Sequence, residues 1–381
     1  MHGTAINKRL NLESIETNLE TLGLTQTNVA DTLGVSRQTV SQWLKGVKFP
    51  RPVKLLKLSK LLQLPFDDLI IKTDTSLEPI VAFRKKGNHK ISDAYLEDAK
   101  DKGYLLQQLV EYLPFDSLSR PPSLISPQLD YDYIQQAANR IRQDINKTVR
   151  DEIRFEDLIN FFIDHHAVII PVFWGNVDHH QNALHVYLPA SMTTWIYINL
   201  DSKIHDFKFW MAHELGHVKT PELKQDASED FADQFAAALL VSQDFAEEEY
   251  NTLSRMRNKG QQINRLKEVA EELVVSPLTV YYEVNRLADH LQRPRIDLES
   301  GQEIFRATTV FQKSYKSVAE YLFENLPPSP RKYITIAEEA FNTPFFAALK
   351  KLPSSRKSVS FLQELLNLSP ADTHSLHEEI S

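Results

Sequence analysis

Residues 207–218 read Phe-Lys-Phe-Trp-Met-Ala-His-Glu-Leu-Gly-His-Val, a largely apolar run with helical spacing into which two histidines and a glutamate are set. On an α-helix His213 and His217 stand one turn apart on one face, so a nitrogen from each ring can meet a single ion. Glu214, one position after His213, cannot join them, but it can reach a water beside such an ion and act as general base on a carbonyl substrate. The competing reading, two core histidines bonded to backbone carbonyls, leaves the intervening glutamate unexplained.

The ion this pattern implies is zinc, and its ligands must be imidazole and carboxylate. The 381 residues contain no cysteine, which removes thiolate ligands, disulfides and thiol nucleophiles. A catalytic zinc takes three protein ligands, so a third donor is needed. The stretch Asp226 to Leu240 has the pattern of an amphipathic helix with Ala232, Phe235, Ala236 and Leu239 turned inward and Glu229 on an adjoining edge. Glu229 could instead close a capping box on Asp226. Asp233, one turn further on, is the other acid in reach, either as ligand or as acceptor for a histidine N–H.

Charge divides the chain. Residues 1–74 carry ten Lys or Arg against seven acidic residues, net +3, which leaves −11 for the remainder. Only the N-terminal segment therefore suits a polyanion. Within it Thr25 and Ser36 each precede a helical pattern as N-caps, with Gly34 between them. Ala30, Leu33, Val35, Val40, Trp43 and Leu44 share one face, as in a helix-turn-helix. The second helix is left with Arg37, Gln38, Ser41 and Gln42, side chains able to bond base edges. Gln26, Thr39 and Lys45 are placed for phosphates. A three-helix module that touches only protein is the alternative.

The run from about residue 10 to 72, including a later helix from Val53 to Leu62, resembles the XRE family of helix-turn-helix domains. That resemblance implies backbone contact by Gln26 and approach to bases by Arg37, Gln38 and Gln42. About residues 130–290, with Ile198-Asn199, His213-Glu214-Leu215-Gly216-His217 and Glu229-Asp230-Phe231-Ala232-Asp233-Gln234-Phe235-Ala236, resemble the ImmA/IrrE metallopeptidase family. The resemblance implies His213, His217 and Glu229 as zinc ligands and Glu214 as the catalytic base. It also implies a regulatory role, in which relatives cleave a DNA-bound repressor. The chain departs from the family pattern at Val241-Ser242, commonly Met-Pro, and at the bulkier Trp210-Met211, which bear on pocket shape.

The expected fold is mainly α with a small β-sheet, α+β overall, and the sheet is placed in about residues 167–200, where β-branched and aromatic runs occur. The expected domains are a helix-turn-helix domain at 1–74, a helical connector at 75–129 and a zincin-like metallopeptidase domain at 130–260. A second helix-turn-helix-like pair at 261–295 and a helical C-terminal region at 296–381 follow. The second pair is read as a packing element because Glu271, Glu272 and Glu283 fall at positions expected to be exposed. Proline clusters at 50–52, 121–122 and 327–330 mark joints where helices should end. The tail is expected to hold helices at about 302–325, 330–341, 344–350, 356–367 and 370–379, as a sensor, a dimerisation element or a lid. His165-His166 and His179-His180 read as ordinary surface or loop histidines, and Tyr197 and His205 as candidates to stabilise an oxyanion.

No leader or membrane-length apolar run is evident, so the expected location is the cytoplasm. The expected partners are double-stranded operator DNA and a protein substrate or regulatory partner, with no membrane and with a homodimer as one arrangement. Two functions fit. One is a DNA-binding zinc metallopeptidase that hydrolyses a regulatory protein, a partner or itself. The other is a repressor or antitoxin-like regulator whose zinc domain senses or scaffolds without proteolysis.

Overall fold

The computed structural model describes residues 8–45, 48–72, 78–82, 93–114, 117–118, 123–174, 183–220, 223 and 226–381. The pair His179-His180 lies outside them. The N-terminal unit runs β1 (Lys8–Leu10), α1 (Leu12–Thr21), α2 (Gln26–Leu33), α3 (Arg37–Leu44), β2 (Phe49–Pro50), α4 (Pro52–Leu62), α5 (Phe66–Leu69) and β3 (Ile70–Lys72). Local chemistry sets its turns. Thr25 and Asn28 form a reciprocal capping box that starts α2, and Gly34 stops it at φ +64°. Ser36 Oγ then accepts the Thr39 N–H to start α3. Ile15, Val29, Ala30, Leu33, Val40, Trp43, Leu55 and Leu62 close a separate core, with Val35 and Leu44 packed at its edge.

The chain continues through β4 (Ile80–Ala82), α6 (Asp93–Gln107), β5 (Ser117–Leu118), α7 (Tyr131–Asp144) and α8 (Phe155–Asp164) to β6 (Ala167–Val172), β7 (Ala183–Leu188) and β8 (Thr193–Asn199). Strand β5 pairs with β2, and the other four strands form one mixed sheet in the order β4-β7-β8-β6, with β6 and β8 parallel and the other pairs antiparallel. The stretch 75–129, expected to be helical, thus contributes the strand β4. Three residues are too few to show a periodicity, and their conformation comes from pairing with Tyr187, Val186 and His185. Register sorts the two faces of the sheet. His185 stands opposite Ile196 on one face, and Leu184 opposite Tyr197 on the other.

Helices α9 (Ile204–Lys219), α10 (Asp226–Leu240), α11 (Gln243–Leu253), α12 (Lys259–Leu273) and α13 (Pro277–His290) follow. After them come α14 (Glu303–Lys313), α15 (Val318–Leu322), α16 (Pro330–Phe341), α17 (Phe345–Lys351), α18 (Val359–Leu366) and α19 (Pro370–Ile380). Sheet and helices share one large core that extends from Ala99 to Ile380. The tail grips the sheet directly: Tyr333 Oη donates to Pro171 O, Thr343 Oγ1 to Ile169 O and Trp174 Nε1 to Leu366 O. The helix expected at 302–325 is two, because Ser317 and Glu320 cap α15 reciprocally. Pro52 and Pro330 open helices rather than end them, since the first turn does not need their missing N–H.

Glu283 is a correction. Expected at an exposed position of the second helical pair, it is fully buried, with its carboxylate bonded to Gln135 Nε2 and to Arg286 Nη1, each at 2.6 Å. Its helix, α13, packs against α7, α11 and α14, so the face a free helix would turn to water is covered. Among the described residues no helix is long and apolar enough to cross a membrane.

Candidate functional site

Helix α9 is enclosed on nearly every side, and from Trp210 to Lys219 each residue is buried. It can be so enclosed because Gly216 lets α10 cross at contact: a methyl on Gly216 would lie 2.8 Å from Ala232 Cα and 3.1 Å from Ala232 Cβ. This crossing brings Ser228, Glu229 and Asp233 of α10 against the two histidines. His213 Nδ1 and Asp233 Oδ1 are 2.9 Å apart, and His217 Nδ1 and Ser228 Oγ are 3.0 Å apart. With their Nδ1 atoms engaged, the rings direct their Nε2 atoms toward each other at 3.0 Å. The Glu229 carboxylate faces both, with Oε2 3.4 Å from His213 Nε2 and Oε1 3.4 Å from His217 Nε2.

Glu214 offers a carboxylate oxygen within 4.8 Å of both histidines, yet its Oε2 is buried without a hydrogen-bond partner. A buried acid oxygen left unpaired is costly unless something in the pocket takes it up. Burial first, and then the charge of Glu229, pushes this carboxyl up to about 8, against the opposing pull of His213. Burial disfavours charge on His213, but its hydrogen bonds to Asp233 and Glu229 outweigh that, and the ring is pushed up to about 9. His217 is held well below the ordinary value, by burial first and then by His213 and His185.

Donors held by one tetrahedral zinc at about 2.0–2.2 Å sit roughly 3.3–3.5 Å apart. The separations of 3.0 and 3.4 Å among the two Nε2 atoms and the Glu229 carboxylate are compatible with that ion. Trp210 stands edge-on to His213, with ring centroids 5.4 Å apart, and forms one wall. The other departures from the family pattern lie away from the donors: Met211 and Val241 are buried in the core, and Ser242 caps α11.

Two residues considered for oxyanion stabilisation lie elsewhere. Tyr197 is on the opposite face of the sheet, stacked on Trp174. His205 is two turns before His213 and packs edge-on against Phe311 and Tyr315. Conversely, Ser228 and His185 do border the site and carried no signal in the sequence. Ser228 is one more small polar residue at a helix start, and His185 sits in an apolar strand with no motif around it.

In the N-terminal unit Arg37, Gln38 and Lys45 are exposed, and Gln26, Thr39, Ser41 and Gln42 are half-buried. All but Gln26 lie on α3 or at its C-terminal end. Thr39 Oγ1 also pairs with Ser36 Oγ at 2.8 Å.

A helix-turn-helix unit joined to a domain with a His-Glu-His cluster on a buried helix defines a class: a DNA-binding regulator with a metallopeptidase-like domain. Residues 15–69 match the model of a helix-turn-helix family, and residues 165–285 match that of the IrrE N-terminal-like domain, a peptidase family. The chain is therefore a fusion of an XRE-type helix-turn-helix domain and an IrrE/ImmA-like domain. No curated protein matches it.

Proposed function

We propose that this protein is a DNA-tethered zinc metallopeptidase that, on a signal, hydrolyses a peptide bond in a regulatory protein, whether a repressor, a partner or itself. The observation that carries the reading is the meeting of His213 Nε2, His217 Nε2 and the Glu229 carboxylate beside the unpaired Glu214 oxygen. In this reading His213, His217 and Glu229 hold zinc. When bound, zinc supplies Lewis acidity, which polarises a carbonyl and makes water nucleophilic near neutral pH.

The chain's own groups do the rest. Asp233 and Ser228 fix the ring orientations through Nδ1, so that both Nε2 lone pairs point inward. Glu214 Oε2 takes the proton from the attacking water and returns it to the leaving amine. The buried walls of α9 exclude bulk water and strengthen every charge interaction inside. Arg37, Gln38, Ser41 and Gln42 read bases in the major groove while Gln26, Thr39 and Lys45 hold phosphates, which keeps the peptidase near DNA-bound proteins.

The test is proteomics for cleaved proteins in cells expressing wild type or Glu214→Gln. New protein termini that appear with wild type and vanish with Glu214→Gln support the reading. A cellular phenotype that persists in Glu214→Gln but is lost with Arg37→Ala and Gln42→Ala points instead to a regulator that works without proteolysis.

A further inference from the structure

One buried histidine faces the site and has no established job. His185 lies in the middle of β7, between β4 and β8, in a strand that otherwise reads Ala-Leu-His-Val-Tyr-Leu. The register places it on the face opposite to Val186, whose side chain meets Gly103 of α6. His185 therefore looks toward α9, and its ring centroid is 6.3 Å from that of His217. It is 4 % exposed, and neither ring nitrogen has a hydrogen-bond partner among the described residues.

The contrast with the paired histidines is informative. His213 and His217 each have Nδ1 engaged by a side chain of α10, the arrangement that holds a ring in a fixed orientation. His185 has no such support, and it does not join the cluster of ligand atoms that lie within 4.8 Å of one another. A buried imidazole with both nitrogens unsatisfied is destabilising, and an apolar residue would pack here without that cost. A neutral imidazole offers one N–H and one lone pair, the complement of a peptide unit with its one carbonyl and one N–H.

We propose that His185 is a substrate-binding residue of this site, its ring N–H donating to the carbonyl oxygen of the peptide unit that the site acts on. The proposal rests on the metallopeptidase reading above. It assigns to β7 a hydrogen-bond donor on the wall that adjoins the two histidines, where negative charge grows on the carbonyl oxygen during attack.

The test uses full-length, zinc-loaded protein and acetohydroxamate, a small planar acid that carries a carbonyl and binds open zinc sites. Its dissociation constant is measured for wild type, His185→Phe and His185→Gln, with zinc content and zinc affinity by chelator competition measured in parallel. The expected result is a loss of tenfold or more in hydroxamate affinity for His185→Phe, partial recovery in His185→Gln, which keeps a donor, and zinc affinity within about twofold of wild type. Unchanged hydroxamate affinity in a folded, zinc-loaded His185→Phe overturns the proposal, and so does a tenfold loss of zinc affinity, which would make His185 a ligand. If His185→Phe does not fold, His185→Gln decides: hydroxamate affinity more than tenfold below wild type at full zinc content rejects the donor role. Wild type that holds zinc but binds no hydroxamate removes the open-site reading itself, and this proposal with it.

Discussion

Gly216 of α9 rests against Ala232 of α10 so closely that the α-carbon of one occupies the space a side chain on the other would need. That contact sets the distance between the helix of the two histidines and the helix of Glu229 and Asp233. Gly216→Ala should force the helices apart by a few tenths of an ångström or more, since the obstruction is backbone. Overpacking of this kind costs about 1–3 kcal/mol, and the gain in helix propensity, about 1 kcal/mol, offsets part of it. Thermal unfolding should show a lower Tm, and zinc affinity should fall because Glu229 moves with α10. Wild-type zinc affinity in Gly216→Ala would show that the crossing does not control the donor spacing.

Glu229 and Asp233 of α10 should separate in a metal assay. Asp233 meets His213 at Nδ1, on the far side of the ring from Nε2, so Asp233→Asn should weaken zinc binding by about 10–100-fold without abolishing it. Glu229→Gln and His217→Ala remove a donor and should lower stoichiometry itself, whereas Glu214→Gln should retain full zinc. Metal analysis of dialysed protein and chelator competition measure all four. Equal loss in Asp233→Asn and Glu229→Gln would merge the roles assigned to them.

The buried Glu283 predicts a pH signature. Burial, opposed by Arg286 and by its hydrogen bonds, pushes this carboxyl up from 4.5 to about 7. Between those values the folded state holds a proton that the unfolded state has released, so stability falls as pH rises through that window. The penalty is absent below about 4.5, complete above about 7, and on the order of 3 kcal/mol. Glu283→Gln cannot titrate and keeps a partner for Gln135. Its stability relative to wild type, from denaturant curves, should therefore rise between pH 5 and pH 8. A difference that stays constant across that range contradicts the shift.

DNA recognition should divide between α3's exposed face and its end. Arg37→Ala and Gln42→Ala should relax sequence preference in a genomic-fragment selection, at about 1–3 kcal/mol for each lost base contact. Lys45→Ala should weaken binding to all fragments alike and reduce the salt-dependence slope by about one. A uniform loss for Arg37→Ala, with preference unchanged, would move that residue from bases to phosphates.

What could be read from the chain alone was local. Thr25, Gly34 and Ser36 act within three or four residues of themselves, and the spacing of His213 and His217 follows from the helix period. The paired helices around Gly34 and the His-Glu-His face were therefore legible, as was the sheet of β6, β7 and β8, whose runs are rich in β-branched and aromatic residues. Packing between distant segments decided the remainder. It placed Glu229 before the Nε2 atoms and Asp233 at Nδ1, although both acids belong to one helix and differ by a single turn. It drew β4 from beyond the expected sheet, buried Glu283 under α7, and chose the face of the sheet that sets His185 near His217 and Tyr197 away from it. Short-range hydrogen bonds and helical periodicity depend on neighbours in sequence, whereas the partner of a buried polar group depends on which surfaces close together.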